Sequence, residues 1–250
     1  MDKLRFEEAR RKLLESPQSK GIGTLAEKTV HAVLKEYYGG GEENKEIPLG
    51  GFVADVVSED GVIEIQTRAL YRLERKLETL LPLCRVTVVY PIEDRKYLLD
   101  IDPDSGELVS KRLSPKRLKI WHGIAELYGI RKYLGNENLT IRFPVLTVEE
   151  TRIRATGKKR RADKIDKLPA EMTDEIVIRR NEDILPLIPE GLPEEFTSAE
   201  FAKLCRINAD TAGKCIRVLA VMGMICECGK QGRCKVWTIK DKGVCTDTNQ

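Results

Sequence analysis

At 250 residues, with 41% hydrophobic and 33% charged side chains, the chain can hold one large domain or two modest ones with a real core, and its composition is that of a soluble globular protein. No apolar run approaches the roughly 20 residues that a membrane span needs, and residues 1–20 lack the apolar core of a signal peptide, which points away from any membrane role and toward the cytoplasm. Net charge is only +3 and implies no partner by itself, while seven scattered cysteines outside any small-secreted-protein spacing point to reduced thiols.

Residues 3–16 read as a short charged helix with Leu4, Leu13 and Leu14 as packing points, ended by Gly21-Ile22-Gly23. Thr24 and Glu27 form a capping box for a second helix, LAEKTVHAVLKEYY, which stops at Gly39-Gly40-Gly41. Its apolar stripe is Ala26, Val30, Val33, Leu34 and Tyr37, and Glu27 and His31 flank that stripe on one side. A first strand covers Lys45 to Leu49, and Gly50-Gly51 turns it into residues 52–67, FVADVVSEDGVIEIQT.

That stretch reads as two strands joined at Ser58-Glu59-Asp60-Gly61, because Val, Ile and Phe favour a pleated surface and Asp-Gly is a strong hairpin signal. Asp55, Glu64 and Gln66 interrupt it. With an even number of loop residues, Asp55 lies across from Glu64 or Gln66, all three on one face, and Ile63 and Ile65 point the other way. Two carboxylates about 5 Å apart on neighbouring strands repel each other. A cation between them accounts for the pair. So does a wet hairpin face, but the flanking helix and apolar strand favour a covered position.

LYRLERKLETLLPL follows as an amphipathic helix with Leu70, Leu73, Leu77, Leu80 and Leu81 on one face, and CRVTVVY at 84–90 as a strand of parallel-sheet character. Residues 97–113 predict a hairpin turning at 102–106. A helix carries Trp121, Ile124 and Tyr128, and residues 139–153 make a strand pair or one long bent strand. The basic segment 152–164 lacks apolar anchors and reads as a loop. Its Lys158, Lys159, Arg160 and Arg161 suit a nucleic-acid backbone, or a solvated loop with no partner.

Residues 171–250 predict a separate module. EIVIRR is a strand, and EDILPLIPEGLP is a short helix leading into a linker. Thr197 with Glu200 caps TSAEFAKLCRI, and Asn208 caps DTAGKCIRVLAVMGMI, whose core stripe is Ala212, Cys215, Ile216, Leu219 and Met222. Two strands around Gly229 to Arg233 complete an order of helix, helix, hairpin. It resembles a winged helix, in which Lys214 and Arg217 on the second helix and Lys230 and Arg233 on the wing would meet DNA, although such modules also dock proteins. Cys226, Cys228, Cys234 and Cys245 lack the paired knuckles of a zinc ribbon.

Helix, three strands, helix, strand, with Ala54-Asp55, then Glu64-Ile65-Gln66, and Glu27 in the preceding helix, resembles the PD-(D/E)xK nuclease superfamily over about residues 20–91. The resemblance implies a restriction-endonuclease-like mixed sheet flanked by helices, in an α+β or α/β fold over residues 1–170. It implies a metal-dependent DNA endonuclease in which Asp55, Glu64 and the Ile65 carbonyl hold Mg²⁺ or Mn²⁺ and Glu27 supports a second ion or a water. Gln66 stands where the family carries lysine. It can orient a water by hydrogen bonding, and Arg68 would clamp a phosphate or else be an ordinary surface arginine. Related nucleases often pair to cut two strands, which makes a homodimer one expected arrangement. The uncharged Gln66 keeps a second reading open, an inactive nuclease fold that binds nucleic acid. A third is a regulator whose carboxyl-terminal module docks a protein.

Overall fold

The computed structural model describes residues 1–15, 26–153 and 163–240, with the side chains of 26–28 excepted. The fold is α+β: a large mixed sheet flanked by helices, and a small separate antiparallel sheet near the carboxyl end. Two compact units divide the chain.

The first unit comprises residues 1–67, 86–119 and 142–176. Its helices are α1 (Lys3–Glu15) and α2 (Ala26–Gly39), and its strands begin with β1 (Lys45–Leu49), β2 (Phe52–Ser58), β3 (Gly61–Ile65), β4 (Val86–Val89), β5 (Ile92–Ile101) and β6 (Leu108–Leu113). It also takes most of β7 (Leu139–Ile153) and β8 (Asp163–Ile178). The strand order is β1-β2-β3-β4-β7-β5-β6, with β8 paired to β7. The β1, β2 and β3 strands form an antiparallel meander, and β4 pairs parallel to β3. A parallel pair needs a long connection rather than a tight turn, which the helix-bearing segment between β3 and β4 supplies.

The central hairpin forms as expected. Ser58 pairs with Gly61, leaving Glu59-Asp60 as the loop, and Gly61 takes a φ of 120° that a residue with a Cβ rarely adopts. Val30, Val33, Leu34 and Tyr37 of α2 are buried with Phe6, Ala9, Ile65, Val89, Leu146, Val148 and Met172 in one apolar cluster, and Phe6 meets Tyr37 edge to face at 5.8 Å. The first helix packs otherwise than its leucines suggest. Leu4 and Leu14 are 74% and 48% exposed, because Phe6, Ala9 and Leu13, spaced three and four apart, define the inward face.

The β8 strand is longer than the EIVIRR segment read from sequence. Over its first ten residues the sequence lacks apolar alternation because side chains there go into ion pairs, Lys164 with Glu150 and Lys167 with Glu93. The basic residues Lys158, Lys159, Arg160 and Arg161 lie outside the described residues, as do Thr24 and Cys245.

The second unit comprises residues 68–85, 120–141 and 177–250. It holds α3 (Glu74–Leu80), α4 (Ile120–Glu126), β9 (Glu195–Thr197), α5 (Ser198–Cys205), α6 (Ala209–Val221), β10 (Ile225–Gln231) and β11 (Cys234–Ile239). Both caps form: Thr197 and Glu200 close a reciprocal box at α5, and Asn208 accepts from the Thr211 amide at α6. The stripe of α6 is buried as expected.

This division departs from the expected break at 170/171. Elements after residue 177 share their core with α4: Trp121 packs edge to face on Phe201 at 4.9 Å, and the Cys215 thiol donates to the Trp121 carbonyl at 3.1 Å. The small sheet runs β10-β11-β9, and its hairpin turns at Gly232-Arg233. Leu70 through Leu81 bury all five predicted leucines, although the helix begins as a 3-10 turn over Leu70–Leu73. Cys84, Cys205, Cys215, Cys228 and Cys234 are free thiols, whereas Cys226 is disulfide-bonded, contrary to the uniformly reduced set expected. Among the described residues, no helix is long and apolar enough to cross a membrane.

Gly129 approaches Tyr71 so closely that a Cβ there would sit 2.8 Å from the Tyr71 nitrogen and 2.9 Å from its Cβ. Backbone cannot yield cheaply, so Gly129→Ala is expected to destabilise the protein by about 1–3 kcal/mol, read as a lower urea midpoint at unchanged slope.

Candidate active site around Asp55

The ladder between β2 and β3 runs Ser58↔Gly61, Val57↔Val62 and Val56↔Ile63. One step further the register sets Asp55 level with Glu64. At that step a side chain takes the place of a backbone acceptor: Asp55 Oδ2 accepts the Ile65 N–H at 2.9 Å. The carboxylate is therefore fixed where the two strands part. Its other contacts come from α2, with His31 Nε2 3.3 Å from Oδ2 and Lys35 Nζ 3.6 Å from Oδ1.

Burial pulls the Asp55 carboxyl upward, but the His31 hydrogen bond, the Ile65 amide and the charges of His31 and Lys35 outweigh it and hold the group below the ordinary aspartate value. Asp55 is thus an anion at neutral pH. It lies in a cleft of about 650 Å³ whose walls also carry Lys12, Lys35 and Lys45 against Glu36, Glu42 and Glu46.

Glu64 is only 2% exposed. Ile63 and Ile65, its strand neighbours, pack with the α2 cluster, so alternation sends Glu64 from the opposite face, beside Val88 of β4. Carboxylates this well covered are rare in apolar strands, and the chain keeps this one. Gln66 is half-buried, and its backbone N–H continues the sheet to the Val89 carbonyl at 2.9 Å. The Glu27 side chain lies outside the described residues, and Arg68 is exposed and belongs to the second unit. Among the described residues, no group of three or more His, Cys, Asp or Glu stands ready to hold a metal unaided.

In the second unit, Lys214 pairs with Asp210 at 2.7 Å, and the Arg217 guanidinium lies 5.5 Å from the Tyr128 ring centre. Both expected cations of the reading helix are thus engaged within their own unit. Lys230 and Arg233 are exposed on the hairpin.

Sequence reasoning missed the Asp55 partners. Glu27, His31 and Lys35 recur every four residues on one helical face, which was the available signal, but nothing in that spacing names the strand residue they meet.

A family profile described as "Domain of unknown function (DUF8091)" matches residues 28–179, which include α2, the meander and the long strands. A relative from Treponema pallidum (strain Nichols), described as an uncharacterized protein, is 31% identical over 231 residues, spanning 89% of this chain and 89% of its own length. No solved structure matches.

Proposed function

Since the chain belongs to the DUF8091 family, whose description names no activity, we propose from its own residues that it is a metal-dependent nuclease hydrolysing phosphodiester bonds, with DNA as the substrate and the cytoplasm as its place. The observation that carries this reading is the ionised Asp55 carboxylate held where β2 and β3 part, level with Glu64. The order α2, β1, β2, β3, α3, β4, with its antiparallel meander and parallel fourth strand, adds support because it matches the order implied by the PD-(D/E)xK resemblance.

The donor set suits a hard cation: Asp55, Glu64 and the Ile65 carbonyl offer oxygens of the kind Mg²⁺ or Mn²⁺ prefers, with Glu27 as a further carboxylate. When bound, such an ion would lower the pKa of a water and offset charge on the reacting phosphate. Gln66 would orient the attacking water through its amide. The water oxygen bonds to phosphorus as the bond to one ester oxygen breaks, leaving one proton on the released hydroxyl and one in solvent. Lys230 and Arg233 are the exposed cations for the nucleic-acid backbone, and cutting both strands of a duplex would call for two copies.

A second reading is favoured by one observation. His31 and Lys35 already balance the Asp55 charge, and Gln66 is neutral, which suits a nuclease fold that binds nucleic acid without cutting it. A panel of duplex, branched and single-stranded DNA and RNA, incubated with Mg²⁺, Mn²⁺ or chelator, separates the two. Cleavage that needs the ion and vanishes in Glu64→Ala is expected. Tight binding without cleavage would leave the second reading standing.

A further inference from the structure

We infer that Lys35 is a catalytic cation of this site and Glu46 the residue that positions it, an inference that rests on the nuclease reading and deepens it. Lys35 lies on α2, and its side chain is only 13% exposed. Nζ sits between two carboxylates, donating to Glu46 Oε1 at 2.9 Å and standing 3.6 Å from Asp55 Oδ1. An ordinary surface lysine keeps its ammonium in water, because covering it removes hydration that only well-placed anions restore.

The two anions differ. Asp55 is 20% exposed and anchored by the Ile65 amide, whereas Glu46 is 72% exposed and bound to Lys35 at the cleft mouth. Glu46 also takes a φ of 53°, which a residue with a Cβ seldom adopts, so its backbone is turned in a way that its position in β1 does not by itself require. An exposed carboxylate holding a covered ammonium can be exchanged for another anion at small cost. A substrate phosphate oxygen is that anion.

The other lysines of the cleft are committed elsewhere. Lys12 bonds Glu36 at 2.6 Å, and Lys45 is shared between Glu36 and Glu42. Gln66 brings no charge from β3. Lys35 is therefore the cation placed to face Asp55 and a phosphate together, where it offsets charge on the phosphoryl oxygens and gives up no proton.

The test uses the full chain and compares wild type, Asp55→Asn, Lys35→Met, Lys35→Arg and Glu46→Gln, each checked for an unchanged melting profile. Single-turnover cleavage with Mg²⁺ is read beside Mn²⁺ affinity measured by calorimetry without nucleic acid. Lys35→Met is expected to slow cleavage by about 100-fold while binding Mn²⁺ as tightly as wild type or more so, since a competing cation has gone. Lys35→Arg, which keeps the charge and the fold contacts, is expected to restore most of that loss, and Glu46→Gln to slow cleavage less than Lys35→Met. If Lys35→Met cuts like wild type while Asp55→Asn is inactive, the role of Lys35 is overturned and the nuclease reading survives. Loss of Mn²⁺ binding in Lys35→Met would make the residue structural and overturn the inference too. Absence of cleavage by wild type overturns both.

Discussion

Asp55→Asn is expected to abolish ion-dependent cleavage while leaving the fold standing. The substitution keeps side-chain shape, and the asparagine oxygen can still accept the Ile65 N–H that closes the parted strands. It removes the negative charge. A metal ion contributes several kcal/mol of charge stabilisation to such a reaction, and at about 1.4 kcal/mol per tenfold its loss is roughly a thousandfold in rate. Two positive groups, His31 and Lys35, are then left facing a neutral amide, which further disfavours a divalent ion. Single-turnover cleavage and Mn²⁺ calorimetry on the same preparation would read both effects. Retained cleavage in Asp55→Asn, with a normal melting profile, would remove Asp55 from the chemistry.

Lys96→Met is expected to cost stability through a charge network on β5, β7 and β8. Lys96 Nζ lies 3.0 Å from Glu93 and 3.3 Å from Glu150, and Glu150 is 3% exposed at its side chain. Lys167 and Lys164 provide each acid with another cation. Removing one partner of a buried pair typically costs about 3–5 kcal/mol, and the remaining lysines reduce this to roughly 2–4 kcal/mol here. Methionine preserves the length of the stem, so the loss reports charge more than packing.

The sign of the pH dependence follows from the two carboxyls. Burial raises both, but the charges and hydrogen bonds of Lys96 with Lys167 at Glu93, and of Lys96 with Lys164 at Glu150, leave each below its ordinary value of 4.5. A depressed carboxyl stabilises the fold above its unfolded value and loses that contribution as pH falls through the folded one. Wild type should therefore hold its stability from neutral pH down to about 4.5 and weaken below. The deficit of Lys96→Met should shrink over that same acid range, where protonation relieves the uncompensated acids. Urea titrations across pH 7 to 3.5 would test this, and a deficit constant with pH would assign the loss to packing instead.

Much of the local architecture was legible in the residues. The hairpin around Glu59-Asp60, the α2 stripe, the five leucines after Leu70 and the caps at Thr197 and Asn208 each depend on neighbours within a few positions. There, side-chain periodicity and backbone chemistry are sufficient causes. The first helix was misread because its leucines are spread around it and only Phe6, Ala9 and Leu13 share one face. In β8 the polar run concealed a strand whose side chains answer charges on β5 and β7, a pattern with no period of its own.

The sequence by itself determined which segments are helix or strand, and that Asp55 and Glu64 would meet at one level of a hairpin, because a two-residue turn sets that register. Only the tertiary structure decided that Asp55 is answered by His31 and Lys35, that Lys96 serves two acids, and that α4 completes the core of the last 70 or so residues. Those pairings join residues 20 to 90 or so positions apart. Local preference carries no record of such meetings, which are settled when burying the apolar faces brings charged neighbours within reach.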